Sequence, residues 1–410
     1  MFPAVFRQAS APPRLITLYL LAAMAPMTLN MIVPSFANIA ADLNADYAVI
    51  SLALGGYLAV TALVEIVIGP LSDRVGRRPV VLAALAVFIA ASTGCAMAES
   101  AEWFLAFRML QAGMVSGFVL SMVIVRDTTD GPDVPRILGK IGMAMAIAPM
   151  LGPMVGSALD VAFGWRMVFA LYAAVGVSLL LITWVDLGET LPRDPAASGQ
   201  DKAGMAALLR EPLFWCYAGC TTFSTGCFYI FLAGAPLIAS SVFGITTAEL
   251  GVYVGSITAG FMAGSFLASR LATLGTPIRL MLAGRLVACG GMLLGMAILA
   301  SGIVSPLAFF GCTICIGIGN GLTMPNSNAG AMSVVPRLAG GAAGITGALT
   351  LGAGAVLSTL AGYLLAEDPD PSVLLSLLFL AAFAGLVAAA VAGVLERRRS
   401  MSDAPGRSPG

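Results

Sequence analysis

Twelve stretches of this 410-residue chain are each apolar for about 20 residues, the length a helix needs to cross a bilayer. They fall near 16–38, 48–69, 79–97, 103–125, 137–158, 165–185, 213–236, 247–269, 279–301, 304–327, 342–365 and 372–394. A backbone surrounded by lipid must satisfy its own polar groups, so only helices and closed barrels can cross. The stretches are continuously apolar and lack the period-two alternation of barrel strands. The expected fold is therefore all-α and polytopic, with twelve transmembrane helices. Composition agrees: 59% of residues are hydrophobic and 10% charged, against roughly 25% charged in soluble domains.

Composition also removes several function classes. The formal net charge is zero, so nothing points to nucleic acid. There is no histidine, which excludes a His-based triad or a zinc site. The seven cysteines lie mostly inside apolar runs, where they behave as small hydrophobes. Cys312 and Cys315 form a C-x-x-C within such a run, and neither metal nor redox chemistry is expected there. Gly317, Gly319 and Gly321 form a G-x-G-x-G with no preceding strand, so it does not read as a dinucleotide loop. No cofactor is expected. The first fourteen residues hold Arg7 and Arg14 but no cleavable apolar core, so the first run reads as a retained span.

The bases orient the spans. With both termini cytoplasmic, every Lys and Arg except Arg108, Arg166 and Arg285 falls in a cytoplasmic segment. The outer loops carry acids instead, among them Asp42, Asp46, Glu99, Asp160, Glu249 and Asp370. The longest polar connection, 186–212, divides the spans six and six. Two parallel six-helix bundles follow, in an inner membrane. The expected boundaries are 1–190 for the first bundle, 191–211 for a cytoplasmic linker, 212–396 for the second bundle and 397–410 for a tail.

Charge within a bilayer costs a few kcal/mol at mid-helix on insertion scales, so intramembrane charges are informative. Glu65 is the only acid well inside a span. It is either a proton-carrying or gating carboxylate, or a hydrogen-bond acceptor for the turn one helical turn below it. Arg108 is the base clearly inside a span, and Arg285 lies about two turns into the ninth. Arg108 stays charged at any relevant pH. It either biases an acid or binds an acceptor inside the membrane, or snorkels outward.

Residues 69–79, Gly69-Pro70-Leu71-Ser72-Asp73-Arg74-Val75-Gly76-Arg77-Arg78-Pro79, pack one acid and three bases into what reads as a tight turn. Gly69 and Gly76 permit close turning, and Pro79 suits the first turn of the next helix. With Asp73, Arg74, Gly76, Arg77 and Arg78 in place, the stretch closely resembles the signature loop between helices 2 and 3 of the major facilitator superfamily. Arg108-Met109-Leu110-Gln111-Ala112-Gly113 resembles the helix-4 motif of the same superfamily. The stretch from Ala148 to Ser157, with Gly152, Pro153 and Gly156, resembles the helix-5 motif of its exporters, although Ala148 and Ser157 replace glycines. Gly264, Ala268, Arg270, Gly275 and Arg279 form a faded second copy of the signature loop. Trp165-Arg166 and Glu189-Thr190-Leu191 are similar to the twelve-span drug:proton antiporters of the bicyclomycin and chloramphenicol exporter group. That group often has an acid in span one, where this chain has Asn30, and glutamine where this chain has Glu65. The titrating role is expected at Glu65.

The resemblance implies two bundles that open alternately to each side of the membrane. It implies a cytoplasmic gate at residues 69–78, proton coupling at Glu65 with Arg108 nearby, and an interface seal at Gly152, Pro153 and Gly156. In the superfamily spans one, four, seven and ten line the path, which places Asn30, Gln111, Met114, Phe228 and Asn320 at the substrate cavity. The expected function is proton-coupled export of drugs or other small amphipathic compounds by a monomer. Export or uptake of a metabolite such as a sugar or amino acid on the same fold is the alternative. The expected partners are a small-molecule substrate, protons and the lipid bilayer. An enzyme would need a clustered nucleophile, base or metal set, and one acid with distant bases does not supply it.

Overall fold

In the computed structural model the chain is described over residues 13–129, 133–191, 207–271, 276–335 and 338–402. The principal helices of the first half are α1 (Leu15–Asn30), α2 (Phe36–Asp42), α3 (Tyr47–Val75), α4 (Arg77–Ala96), α5 (Ala101–Gln111), α6 (Val115–Thr128), α7 (Asp133–Phe163) and α8 (Arg166–Asp186). Those of the second half are α9 (Pro212–Ser241), α10 (Thr247–Leu271), α11 (Pro277–Ala300), α12 (Pro306–Ser333), α13 (Ala339–Glu367) and α14 (Pro371–Ser402). No strand occurs among the described residues. Eleven stretches are long and apolar enough to span a membrane, with α1 and α2 forming one and α5 and α6 another. The 31-residue α7 is a further long helix, and its described part Leu151–Phe163 is apolar. Ile66, Val67, Phe266, Leu307 and Leu380 are exposed. In water such a surface would be a liability; in a bilayer it is the lipid face.

The spans are not uniform rods. α1 contains Pro26 and gives way after Asn30 to a 3₁₀ turn, Val33–Ser35, before α2 continues the span. A second 3₁₀ turn, Ala112–Met114, interrupts span four between α5 and α6. Short 3₁₀ stretches inside a helix mark hinges or strain. The signature stretch differs from its expected form. α3 runs without a break through Gly69, Pro70 and Asp73 to Val75, and α4 starts at Arg77, so the turn is Gly76 alone. α14 likewise continues through Arg397, Arg398 and Arg399, where a tail was expected. Gly275 of the faded second copy lies outside the described residues.

Two compact units can be distinguished. The first holds the described residues up to Leu191 together with Tyr229–Thr258 and Gly354–Leu374. Within it α1 packs on α6, α7 and α8, and α4 packs on α5 and α8. The second holds the described residues up to Phe228 of α9, with Ala259–Ala353 and the chain from Leu375. Here α11 and α12 lie side by side. A Cβ at Gly319 would stand 2.4 Å from the Gly284 carbonyl, and one at Gly284 2.5 Å from the Gly319 carbonyl. The glycine run 317–321 therefore serves close helix packing.

Candidate functional site

The turn between α3 and α4 is built around a carboxylate from the end of the first half. Gly76 has φ +107°, which favours glycine. A Cβ there would also stand 2.3 Å from Glu189 Oε2. Glu189 accepts the backbone N–H of Arg77 at 2.9 Å and of Arg78 at 3.3 Å. It thus satisfies N-terminal donors of α4 and meets the positive end of the helix dipole. It also accepts the N–H groups of Thr190 and Leu191, at 3.0 Å each.

Arg77 is buried and joins three groups. Its Nη1 reaches Asp73 Oδ1 at 2.6 Å and Ser72 Oγ at 2.5 Å, and its Nε reaches Asp127 Oδ2, at the end of α6, at 3.2 Å. Arg78 donates to the Trp184 carbonyl at 2.7 Å and lies over the Trp184 ring. Arg74, expected in the gate, is exposed and makes no hydrogen bond or ion pair among the described residues. Gly69, expected at a turn, sits inside α3 with nothing near its Cβ position. Sequence reasoning gave Glu189 only as part of a motif and assigned Asp127 no role. The readable signal was their position at the same, basic end of the spans as the turn. Glu189→Ala should cost about 1 kcal/mol, as a lost helix cap does, and lower the unfolding temperature of the purified protein. An unchanged temperature would show that the cap carries no stability.

Arg108 does not snorkel. It is fully buried, and each guanidinium nitrogen has an acceptor. Nε donates to Ala53 O at 3.2 Å in α3, Nη1 to Gln111 Oε1 at 2.8 Å, and Nη2 to Thr28 O at 2.9 Å in α1. The guanidinium lies 4.3 Å from the centroid of the Tyr57 ring. Gln111 passes the network to Ser92 Oγ of α4 at 2.8 Å. All of these acceptors are neutral, so the arrangement ties α1, α3, α4 and α5 together. Gln111, Met114 and Asn30 were expected at a cavity; the structure buries all three, and the Asn30 amide donates to Pro26 O at 2.8 Å.

Glu65 is half-buried on α3 and makes no hydrogen bond or ion pair among the described residues. It does not brace the turn below it. It is also not beside Arg108, as expected. Arg108 stands level with Ala53 and Tyr57, roughly 12 Å or more along α3 at 1.5 Å per residue. Tyr229 of α9 lies within electrostatic range of Glu65.

The helix-5 glycines are seated on the break after α1. A Cβ at Gly156 would stand 1.7 Å from the Met31 carbonyl oxygen, and one at Gly152 3.4 Å from Met31 N. Pro153 has no N–H to give the carbonyl one turn back, that of Pro149. Thr258 Oγ1 of α10 donates to that carbonyl instead, at 3.3 Å. A Cβ at Gly251 of α10 would meet Pro153 O at 2.8 Å. Toward the acidic end of the same unit, Asn38 donates to Asp160 at 2.8 Å and to Thr247 at 3.3 Å, and the Tyr47 hydroxyl donates to Ala233 O at 2.8 Å. Gly55 of α3 and Gly362 of α13 leave room for Thr359 and Ser51. Sequence reasoning marked the α7 glycines but not these partners, which lie far away in the chain.

In the second unit, Asn320 accepts from Arg285 Nη2 at 2.6 Å and donates to Ser224 O at 2.8 Å. Phe228 is half-buried.

Helices of spanning length with charges retained inside them and a charged turn at one end describe a polytopic membrane protein, and the family match makes it a transporter. Residues 18–359 match the family model of the Major Facilitator Superfamily, and the chain belongs to that superfamily. It is 29% identical over 351 residues to the uncharacterized MFS-type transporter YdgK of Bacillus subtilis (strain 168), covering 84% of this chain and 87% of that protein. It is 32% identical over 322 residues to the multidrug resistance protein MdtL of Escherichia fergusonii, covering 76% and 79%. Its fold is similar to the crystal structure of a bacterial homolog of the human lysosomal transporter Spinster in an inward-facing and occupied conformation. The TM-score is 0.77, at 18% identity over 95% of this chain and 98% of that one.

Proposed function

We propose that this chain exports drugs and other small amphipathic compounds across the inner membrane in exchange for protons, as a monomer with both termini cytoplasmic. The observation that carries this reading is Glu65, a half-buried carboxylate inside a span that makes no hydrogen bond or ion pair among the described residues. A carboxylate kept only for structure would be paired. The substrate class draws on the likeness to a multidrug resistance protein.

In the proposed cycle a proton from outside settles on Glu65 and is released to the cytoplasm after the substrate has left outward. Tyr229 senses the charge on Glu65 and links its state to α9. The Asp73–Arg77–Asp127 cluster latches the cytoplasmic ends of α3, α4 and α6, and Glu189 holds α4 in place for it. Residues 1–190 and 212–396 move as two bundles joined by 191–211. Arg108 supports the cycle by holding α1 and α3 on α5. Gly152, Pro153 and Gly156 let α7 lie against the break in α1, where a hinge needs contact without side chains. Phe228 and Asn320 contribute to the substrate path.

The test uses inverted membrane vesicles from cells overproducing the chain. A pH-sensitive dye reports the proton gradient while chloramphenicol-type drugs and cationic dyes are added one at a time. A gradient that falls on adding a compound, and does not fall in vesicles lacking the chain, supports the proposal. No response to any drug would end the drug-export reading.

A further inference from the structure

The seam between α7 and α10 is joined by neutral groups and one acid. Thr258 Oγ1 donates to the Pro149 carbonyl, and Gly251 leaves room for the Pro153 carbonyl and for Ser157 Oγ. None of these groups titrates. One turn beyond Ser157, on the same face of α7, stands Asp160, only 7% exposed. Its Oδ2 accepts from Asn38 Nδ2 of α2 at 2.8 Å. The same nitrogen donates to Thr247 Oγ1, at the start of α10, at 3.3 Å. An amide nitrogen has two hydrogens, and here both are spent on joining α7 to α10.

Among the described residues no base pairs with Asp160. The charged groups of the neighbouring elements are engaged elsewhere. Arg166 of α8 pairs with Asp42 of α2 and donates to the Ala98 carbonyl at 3.1 Å. Glu249 of α10 accepts from the N–H of Thr246 at 3.0 Å and from its hydroxyl at 2.8 Å. Tyr253 of α10 is two residues past Gly251 and so on another face. α1 carries no charged residue, and Arg126 and Asp127 of α6 lie at its far, basic end. A buried carboxylate without a counter-charge depends on the hydrogen bonds that reach it. Asn38 is itself exposed, so solvent is one side chain away. An ionised acceptor holds an N–H roughly twice as strongly as a neutral one. The bridge is therefore strongest while Asp160 is ionised, and a proton on Asp160 weakens it. Ser157 Oγ, one turn away, is buried without a partner, which leaves the seam a spare hydroxyl.

We propose that Asp160 is a second proton-accepting residue of this transporter, and that its protonation releases α10 from α2 and α7 at the acidic end. In the proposed orientation that end faces outward, so the arriving proton frees the exit before it reaches Glu65. The inference rests on the export reading for that place in the cycle.

Double electron–electron resonance on the purified full chain in lipid nanodiscs tests it. Nitroxides are placed at Ala41→Cys of α2 and Ala248→Cys of α10, both exposed positions. The two half-buried cysteines, Cys216 and Cys315, are changed to serine so that they take no label. From about pH 8 to about pH 4, where carboxylates take up protons, the ratio of long to short distances should rise about fivefold, the margin of a charge-assisted over a neutral hydrogen bond. Asp160→Asn keeps the shape without the charge and should show the long distance at both pH values. A distance that ignores pH in the wild type overturns the proposal. So does a response that survives in Asp160→Asn, which assigns it to another acid. If Asp160→Asn does not purify, Thr247→Val decides, because it removes only the acceptor on α10; a full wild-type response there would contradict the proposal. A response lost in Asp160→Asn, in a chain whose vesicles respond to no compound, would leave the proton-operated bridge standing and remove the export reading.

Discussion

Glu65→Gln should leave substrate exchange intact and abolish gradient-driven transport. In proteoliposomes the variant should still swap labelled for unlabelled substrate, because glutamine keeps the shape of the side chain. It should show no uptake above empty liposomes when only a proton gradient is imposed, because an amide cannot carry the proton. Stability gives a second readout. Glu65 has no hydrogen-bond partner on α3 or elsewhere among the described residues, so removing its charge from the membrane should hold or raise the unfolding temperature. A variant that unfolds at lower temperature would mean that the carboxylate is structural. A variant that still accumulates substrate down the proton gradient would move the coupling to another group.

The second large effect is expected at Gly156. An added methyl would overlap the Met31 carbonyl oxygen, 1.7 Å from the Cβ position; that oxygen is backbone, and the Cβ position is fixed by the backbone of Gly156. Neither can rotate away, so α7 and α1 must separate. Overpacking of this kind typically costs about 1–3 kcal/mol, and it falls where the chain between α1 and α2 is already broken. Gly156→Ala should therefore lower the unfolding temperature and remove most transport. Gly69→Ala is the contrasting variant. Gly69 lies inside α3 with open space at its Cβ position, so alanine should be neutral or stabilising by up to about 1 kcal/mol. Thermal unfolding of the two purified variants checks both. If Gly69→Ala is the more damaging, the helical reading of 69–75 is wrong.

The spans were legible in the sequence because each is a continuous apolar run, and lipid leaves such a run little choice but a helix. The break at Gly76 was half legible. Gly, Pro, Ser and Asp in succession read as a loop, but Pro70 is tolerated inside α3, and only Gly76 leaves the helix. What the sequence could not convey was partnership across the chain. Asp127 and Glu189 reach Arg77 and the start of α4 from 50 and 112 residues away. Nothing local in their neighbourhoods indicates which base they serve. Depth was the second gap. Glu65 and Arg108 were both recognised as intramembrane, but hydropathy does not give their heights along α3, and they turn out to stand well apart. Gln111 and Met114 fall on a span expected to line a path, yet the face they occupy turns inward to Ser92 and the bundle core. Arg285 drew least notice in the sequence because it sits nearer a span end, and its partners Thr323 and Asn320 lie 38 and 35 residues away.

The central claim is that proton entry drives export, and an imposed gradient tests it most directly. Purified protein would be reconstituted into proteoliposomes with an acidic interior, and uptake of radiolabelled chloramphenicol followed with and without nigericin. The account predicts uptake in exchange for outgoing protons, collapsing to the level of empty liposomes when nigericin removes the gradient. Uptake that is the same with and without nigericin would contradict it.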